Sequence, residues 1–181
     1  MEKVMSVKLN AGDTFPTINV TTSDGDTVTL GQPREGFSWQ AVFVYRGRHC
    51  PLCTRYLNDL ANYKEQFEKA GVDIIAVSAD SKSQMQEQLQ EISINFPIAY
   101  GLTEEQMKTL GVYVSTPRSE QETDHNFAEP GLFVVNEEGK LHVVDISNNP
   151  FVRPELGALA NGLNWIRDPK NNYPIRGTLA Y

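Results

Sequence analysis

Apolar positions recur along this chain with two different periods, and each period marks a kind of element. Thr17–Thr22 and Thr27–Leu30 are β-rich and flank Ser23-Asp24-Gly25-Asp26, which is turn chemistry, so a β-hairpin is predicted near the start. Pro33 and Gly36 end it. Gln40–Tyr45 and Val72–Val77 are nearly continuous apolar runs, the mark of central strands covered on both faces. Between them Leu52, Tyr56, Leu60, Tyr63 and Phe67 recur at helical spacing, with Pro51 in the first turn and Gly71 as the stop. Ser81 with Gln84, and Thr103 with Gln106, read as capping boxes opening two further helices. Met85, Leu89 and Ile92 face inward after the first, and Gly111 ends the second. Phe96–Tyr100 is a short strand-like run between them.

Ser115–Phe127 is polar, acidic and without period, and reads as a long surface loop that is functional or mobile. Leu132–Val135, a turn at Asn136–Gly139 and Leu141–Val144 form a second hairpin. Pro154 then opens a last helix with Leu156, Leu159, Leu163 and Ile166 inward. The order is hairpin, three alternating strand–helix pairs, hairpin and helix. It predicts an α/β domain with a mixed central sheet and helices on both faces. One domain is expected over residues 1–181, with its core at 8–166 and a tail at 167–181 that docks on the body or on a second copy, as in a homodimer.

Composition narrows the function. The 181 residues are 40% hydrophobic, enough to bury a core, and the net charge of −7 argues against a nucleic-acid partner. No apolar run approaches the roughly 20 residues that span a bilayer, so no membrane role is expected. Met1–Asn10 is polar and lacks a signal peptide's apolar block, so a cytoplasmic location is expected. In that reducing setting, two close cysteines point to chemistry more than to a staple.

Both cysteines lie in Cys50-Pro51-Leu52-Cys53, between a buried strand and an amphipathic helix. A thiolate is the reactive form of cysteine. Cys50 is placed near the helix N-cap, where unpaired N–H groups and the helix dipole stabilise an anion. Arg46, Arg48 and His49 add positive charge beside it. Cys53, one turn on and more buried, is placed to attack a mixed disulfide on Cys50. Zinc needs about four ligands, and His49, His125 and His142 lack the familiar spacing. Haem attachment wants histidine where Thr54 stands. No metal or organic cofactor is expected.

Asn10-Ala11-Gly12-Asp13-Thr14-Phe15-Pro16, Asp24-Gly25, Val28-Thr29-Leu30, Val42–Tyr45 leading into the cysteine motif, and Phe133–Asn136 through Gly139 together resemble the alkyl hydroperoxide reductase C/thiol-specific antioxidant family, the peroxiredoxin-like branch of the thioredoxin fold. The resemblance runs over about residues 8–166, judged by the order of these motifs. It implies a thioredoxin-like fold and an antioxidant oxidoreductase. The family's Pro-x-x-x-Thr-x-x-Cys motif, laid on Cys53, meets Arg46 and Cys50; laid on Cys50 it meets Phe43 and Gly47. An arginine on a late strand is also implied, and no residue is assigned to it. The C-x-x-C itself is similar to that of thioredoxins. By that likeness Pro130 stands at the place of a cis-proline facing the cysteines, and Val44 where thioredoxins bury a carboxylate. Glu129, just before that proline, is a candidate base for Cys53, and His125 lies in the same loop. Arg46 is a candidate for steering a peroxide or a sulfenate. Tyr45 and His142 read as packing residues.

These features predict thiol–disulfide oxidoreduction with Cys50 attacking and Cys53 resolving. A thiol reductant such as thioredoxin, glutaredoxin or glutathione would recycle the pair. The second reading is a thiol peroxidase acting on hydrogen peroxide or organic hydroperoxides through a sulfenic acid and the same disulfide. There the family register favours Cys53 as the peroxidatic residue, while exposure and helix position favour Cys50. A third reading is a non-enzymatic redox sensor or interaction module.

Overall fold

The computed structural model describes residues 7–181; Met1–Ser6, most of the polar opening segment, lies outside the described residues. The N-terminal hairpin forms as predicted, from β1 (Asn19–Thr22) and β2 (Thr27–Thr29). The apolar runs become β3 (Trp39–Val44) and β4 (Val72–Val77), joined through α1 (Pro51–Lys69). Next come α2 (Lys82–Leu89), β5 (Ile98–Tyr100) and α3 (Glu104–Leu110). Both capping boxes are closed on each side, Ser81 with Gln84 and Thr103 with Gln106. The short strands β6 (Val114–Ser115) and β7 (Phe127–Ala128) pair with each other. The second hairpin is β8 (Gly131–Val135) with β9 (Leu141–Ile146), followed by α4 (Leu156–Arg167).

Seven strands make one mixed sheet in the order β2-β1-β5-β4-β3-β8-β9. β3 runs parallel to β4 and antiparallel to β8, so both of its edges are covered. Alternation along β3 and β4 then sorts side chains between two layers. Ala41, Phe43 and Ile74 pack with Leu57, Leu60 and Phe67 of α1 and with Leu156, Ala160 and Leu163 of α4. Val42, Val44, Ile75 and Val77 pack with Phe15 of the N-terminal segment and with Met107 and Leu110 of α3. Helices therefore lie on both faces, as the pattern predicts.

Three local expectations are corrected. The buried stripe of α1 is Cys53, Leu57, Leu60 and Phe67, while Leu52, Tyr56 and Tyr63 lie on its flank. The last helix starts after Glu155, whose carboxylate caps Gly157 and Ala158, so Pro154 lies outside it. No peptide bond among the described residues is cis, Glu129–Pro130 included. The chain there runs straight from one pairing into the next: Glu129 N–H donates to the Tyr113 carbonyl at 2.7 Å, and the Pro130 carbonyl accepts from Ser147 N–H at 3.0 Å. An extended trans backbone satisfies both.

Candidate active site

The turn Arg46–His49 delivers the chain from the end of β3 into α1. Gly47 makes it possible. Its φ of 135° lies in a region favouring glycine, and a Cβ there would overlap Asp80 Oδ1. The closed turn lets the buried Asp80 carboxylate accept from Arg48 N–H at 2.7 Å. Pro51 takes the first position of α1, where no N–H is needed.

Cys50 is the N-cap residue itself. Its Sγ accepts from Cys53 N–H at 3.2 Å. The cap site is buried rather than open: Cys50 is 2% exposed and Cys53 fully buried. Both are free thiols. The decisive neighbour comes from the loop before α4. Arg153 Nη2 lies 2.9 Å from Cys53 Sγ and 3.9 Å from Cys50 Sγ. Its guanidinium stacks 4.9 Å from the centre of the Tyr56 ring.

These contacts split the two thiols. A hydrogen bond from the Cys53 thiol, the helix N–H, Arg46 and Arg153 lower the Cys50 pKa to about 6 against the cost of burial. Burial first, and then the adjoining Cys50, push the Cys53 pKa upward. At neutral pH one negative charge is therefore shared by the pair and centred on Cys50.

The predicted supporting residues fall in three places. Arg46 reaches the pair, and a buried acid fixes it: Glu129 Oε2 lies 3.2 Å from its Nε, and Glu122 lies 3.7 Å from the far side. Glu129 takes a further hydrogen bond from Ser115 at 2.8 Å. It therefore acts on the cysteines through Arg46, and the expectation of a base facing Cys53 is replaced by that link. Arg48 turns away and pairs with Glu87 at 2.9 Å. His49 packs on Phe127 at 4.4 Å, and burial followed by the nearby Arg46 charge lowers its pKa, so it is neutral and adds no positive charge to the site. Pro130 is buried and lines a narrow apolar cleft with Phe43, Tyr56, Leu132, Val152 and Arg153. The cleft's free volume of about 20 Å³ is roughly that of one water.

The segment read as a surface loop folds back over this region. The β6–β7 pair closes its base, Glu122 reaches in to Arg46, and His125 binds Asp80 at 3.4 Å and Asp124 at 2.8 Å. His125 thus joins the Asp80 turn rather than the sulfurs. Tyr45 is core, its hydroxyl donating to Gln88 at 3.1 Å, and His142 stacks on Trp39 at 4.7 Å. Among the described residues no cluster of three histidine, cysteine or acidic groups is arranged to hold a metal ion.

The sheet is of thioredoxin type, and the stretch holding the central strand and the cysteine-capped helix matches a known family. The AhpC/TSA family model fits residues 11–144. The chain belongs to the AhpC/TSA family. Among its relatives, the 1-Cys peroxiredoxin of Medicago truncatula is 26% identical over 140 residues, covering 74% of this chain and 62% of the relative. The 1-Cys peroxiredoxin of Dictyostelium discoideum is 33% identical over 99 residues, covering 50% of this chain and 39% of the relative. The chain thus spans less than two thirds of the length of these curated relatives. The fold is similar to that of peroxiredoxin 6 from Arenicola marina, at a TM-score of 0.75 and 19% identity over 90% of this chain and 75% of the other. AhpC of Mycobacterium bovis gives 0.72 and 18%, over 96% and 99%. Arg153, which the sequence reading did not single out, comes from a loop beyond β9, outside residues 11–144.

Proposed function

We propose that the protein is a thiol-dependent oxidoreductase that cycles Cys50 and Cys53 between dithiol and disulfide, with a hydroperoxide as its oxidant. The observation that carries this is the Arg153 guanidinium laid across two buried sulfurs. A second protein's disulfide needs in-line access to a sulfur, and burial opposes it. Hydrogen peroxide, with only two heavy atoms, needs far less opening at a buried sulfur than a protein disulfide does. The relatives' names, 1-Cys peroxiredoxins, support the hydroperoxide as oxidant; the disulfide step rests on the two sulfurs of this chain.

In the cycle, the Cys50 thiolate attacks the terminal oxygen of the hydroperoxide. The S–O bond forms as the O–O bond breaks, and the alkoxide or hydroxide leaves. Arg153 and Arg46 offset that charge until a proton from solvent neutralises it. The product is a Cys50 sulfenic acid. The Cys53 sulfur then attacks Cys50, releasing water and closing the disulfide. An external thiol reductant, of the thioredoxin, glutaredoxin or glutathione kind, supplies the two electrons that reopen it. A reducing compartment such as the cytoplasm fits this need. Pairing of two copies through the 167–181 tail belongs to the same proposal and is read by light scattering.

Stopped-flow mixing of the reduced protein with hydrogen peroxide, and separately with a small aromatic disulfide, tests the oxidant. Peroxide should oxidise the pair far faster than a free thiolate, with Cys50→Ser inert and Cys53→Ser stalling as a sulfenic acid. A peroxide rate equal to that of a free thiolate, with fast disulfide exchange, overturns it. Disulfide exchange would then be the activity, which the N-capped, ionised Cys50 also supports.

A further inference from the structure

We propose that Tyr56 is a positioning residue that holds Arg153 against the sulfur pair while leaving its charge unneutralised. Tyr56 lies one turn of α1 beyond Cys53 and touches the Arg153 loop in two ways. Its ring carries the guanidinium, at 4.9 Å from the centroid, and its hydroxyl donates to the Pro154 carbonyl at 2.6 Å. A third tie is internal to the loop: Arg153 Nε donates to the Pro150 carbonyl at 3.2 Å. The guanidinium is thus held by a ring face, a neutral carbonyl and two sulfurs.

The arginines nearby are held differently. Arg46 lies against Glu129 and Glu122, and Arg48 against Glu87. Among the described residues, no carboxylate lies within ion-pair distance of Arg153. The acids closest at hand are otherwise placed. Glu155 spends both oxygens on Gly157 N–H and Ala158 N–H, at 2.9 and 2.6 Å, and Asp145 lines the cleft without pairing. The difference matters because a carboxylate partner would cancel most of the field that Arg153 exerts on the sulfurs, whereas an aromatic face attracts a cation without cancelling its charge. Burial also keeps the Tyr56 phenol protonated, so the ring brings no charge of its own. The segment Pro150–Pro154 is otherwise open, with Phe151 81% exposed, so the ring is the main rigid surface under the arginine.

This rests on Cys50 being the attacking thiolate, and is independent of which oxidant it meets. The test is the thiolate absorbance near 240 nm against pH, on the reduced full chain, with Arg46, Arg153, Cys53, Asp145 and Glu155 left in place. Tyr56→Leu should raise the Cys50 midpoint by about one pH unit, and Tyr56→Glu should raise it toward the ordinary thiol value of about 8.5. Tyr56→Phe keeps the ring and should show less than half of the leucine shift. At pH 5.5, where thiolate fraction follows the midpoint, peroxide oxidation of Tyr56→Leu should fall about tenfold. Far-UV circular dichroism checks the fold, and if the leucine variant is unfolded, the Glu and Phe pair decides. Equal shifts in all three variants would mean simple packing and overturn the proposal, as would an unmoved midpoint in Tyr56→Glu. Midpoints that move as stated in a protein slow toward peroxide would sink the hydroperoxide reading and keep this one. The reverse pattern would do the opposite.

Discussion

Arg153 Nη2 sits 2.9 Å from Cys53 Sγ, although 100 residues of chain separate the two. The cation also lies 3.9 Å from Cys50 Sγ, so it stabilises whichever sulfur carries the charge. Arg153→Met keeps most of the volume and removes the charge. It should raise the Cys50 thiol and slow oxidation by peroxide at least about tenfold, roughly 1.4 kcal/mol of barrier. Arg153→Lys should recover part of this, since an ammonium cannot face both sulfurs as a planar fork does. Ultraviolet thiolate titration and stopped-flow fluorescence read the two effects.

The pH dependence follows from the lowered Cys50 value. The reactive form is the deprotonated one, so the oxidation rate should rise with pH and level off above about 6. A folded pKa below the unfolded one also adds stability. That increment is complete above the unfolded thiol value, about 8.5, and is lost as pH falls through about 6. Cys50→Ser lacks it. Urea denaturation of the reduced protein and of Cys50→Ser at pH 8.5 and pH 5.5 should therefore show the gap between them narrowing in acid.

Glu129 separates two roles by a single substitution. A general base predicts that Glu129→Gln loses activity at every pH. The observed contact, Glu129 to Arg46, predicts a different result. Freed of its acid, Arg46 should pull the Cys50 midpoint further down while the protein loses about 2 kcal/mol of stability, because half of a buried ion pair is gone. Thiol titration and a denaturant melt decide between them.

His125 should tie the folded-back loop to the body in a pH-dependent way. Hydrogen bonding to Asp80, first among its causes, raises the His125 pKa above 6.5. The attachment is therefore complete below the unfolded value and weakens as pH rises through the higher folded one. Amide hydrogen exchange in residues 116–126, corrected for intrinsic rates, should show protection declining over that range. In His125→Gln the protection should be lower and flat with pH.

Gly47→Ala should be among the more damaging small substitutions. The added methyl meets Asp80 Oδ1 at a backbone angle that alanine rarely adopts. A loss of about 2 kcal/mol or more is expected, together with a raised Cys50 midpoint as the turn into α1 shifts. Thermal unfolding and thiol titration check both.

What the sequence reveals here is local or periodic. The capping boxes at Ser81 and Thr103 need four residues each, and the strands at 40–45 and 72–77 declare themselves by composition. Cys50 at the head of α1 is legible for the same reason: Pro51 and the helical stripe place it. The stripe itself is read one residue out of phase, because Cys53 is set aside as chemistry when it is also an apolar core position. Arg153 is not legible. It lies in an irregular loop beside Pro154, and nothing within ten residues points to a sulfur. The 115–127 segment is a surface loop as read, irregular over 116–126, but its anchors are not legible. Its order comes from two short strands and from Arg46 and Asp80, partners far off in the chain. The trans bond at Pro130 is set by pairings to Tyr113 and Ser147, which no dipeptide pattern encodes.

The burial of Cys50 has a consequence for survival under chemical stress. An acidic thiolate at a protein surface is open to every electrophile in its surroundings, including aldehydes, quinones and bulky alkylating agents. Ionisation and access multiply in setting such damage, and here access is almost closed at 2% exposure. A thiolate that would be short-lived in the open is therefore kept in its reactive form between encounters.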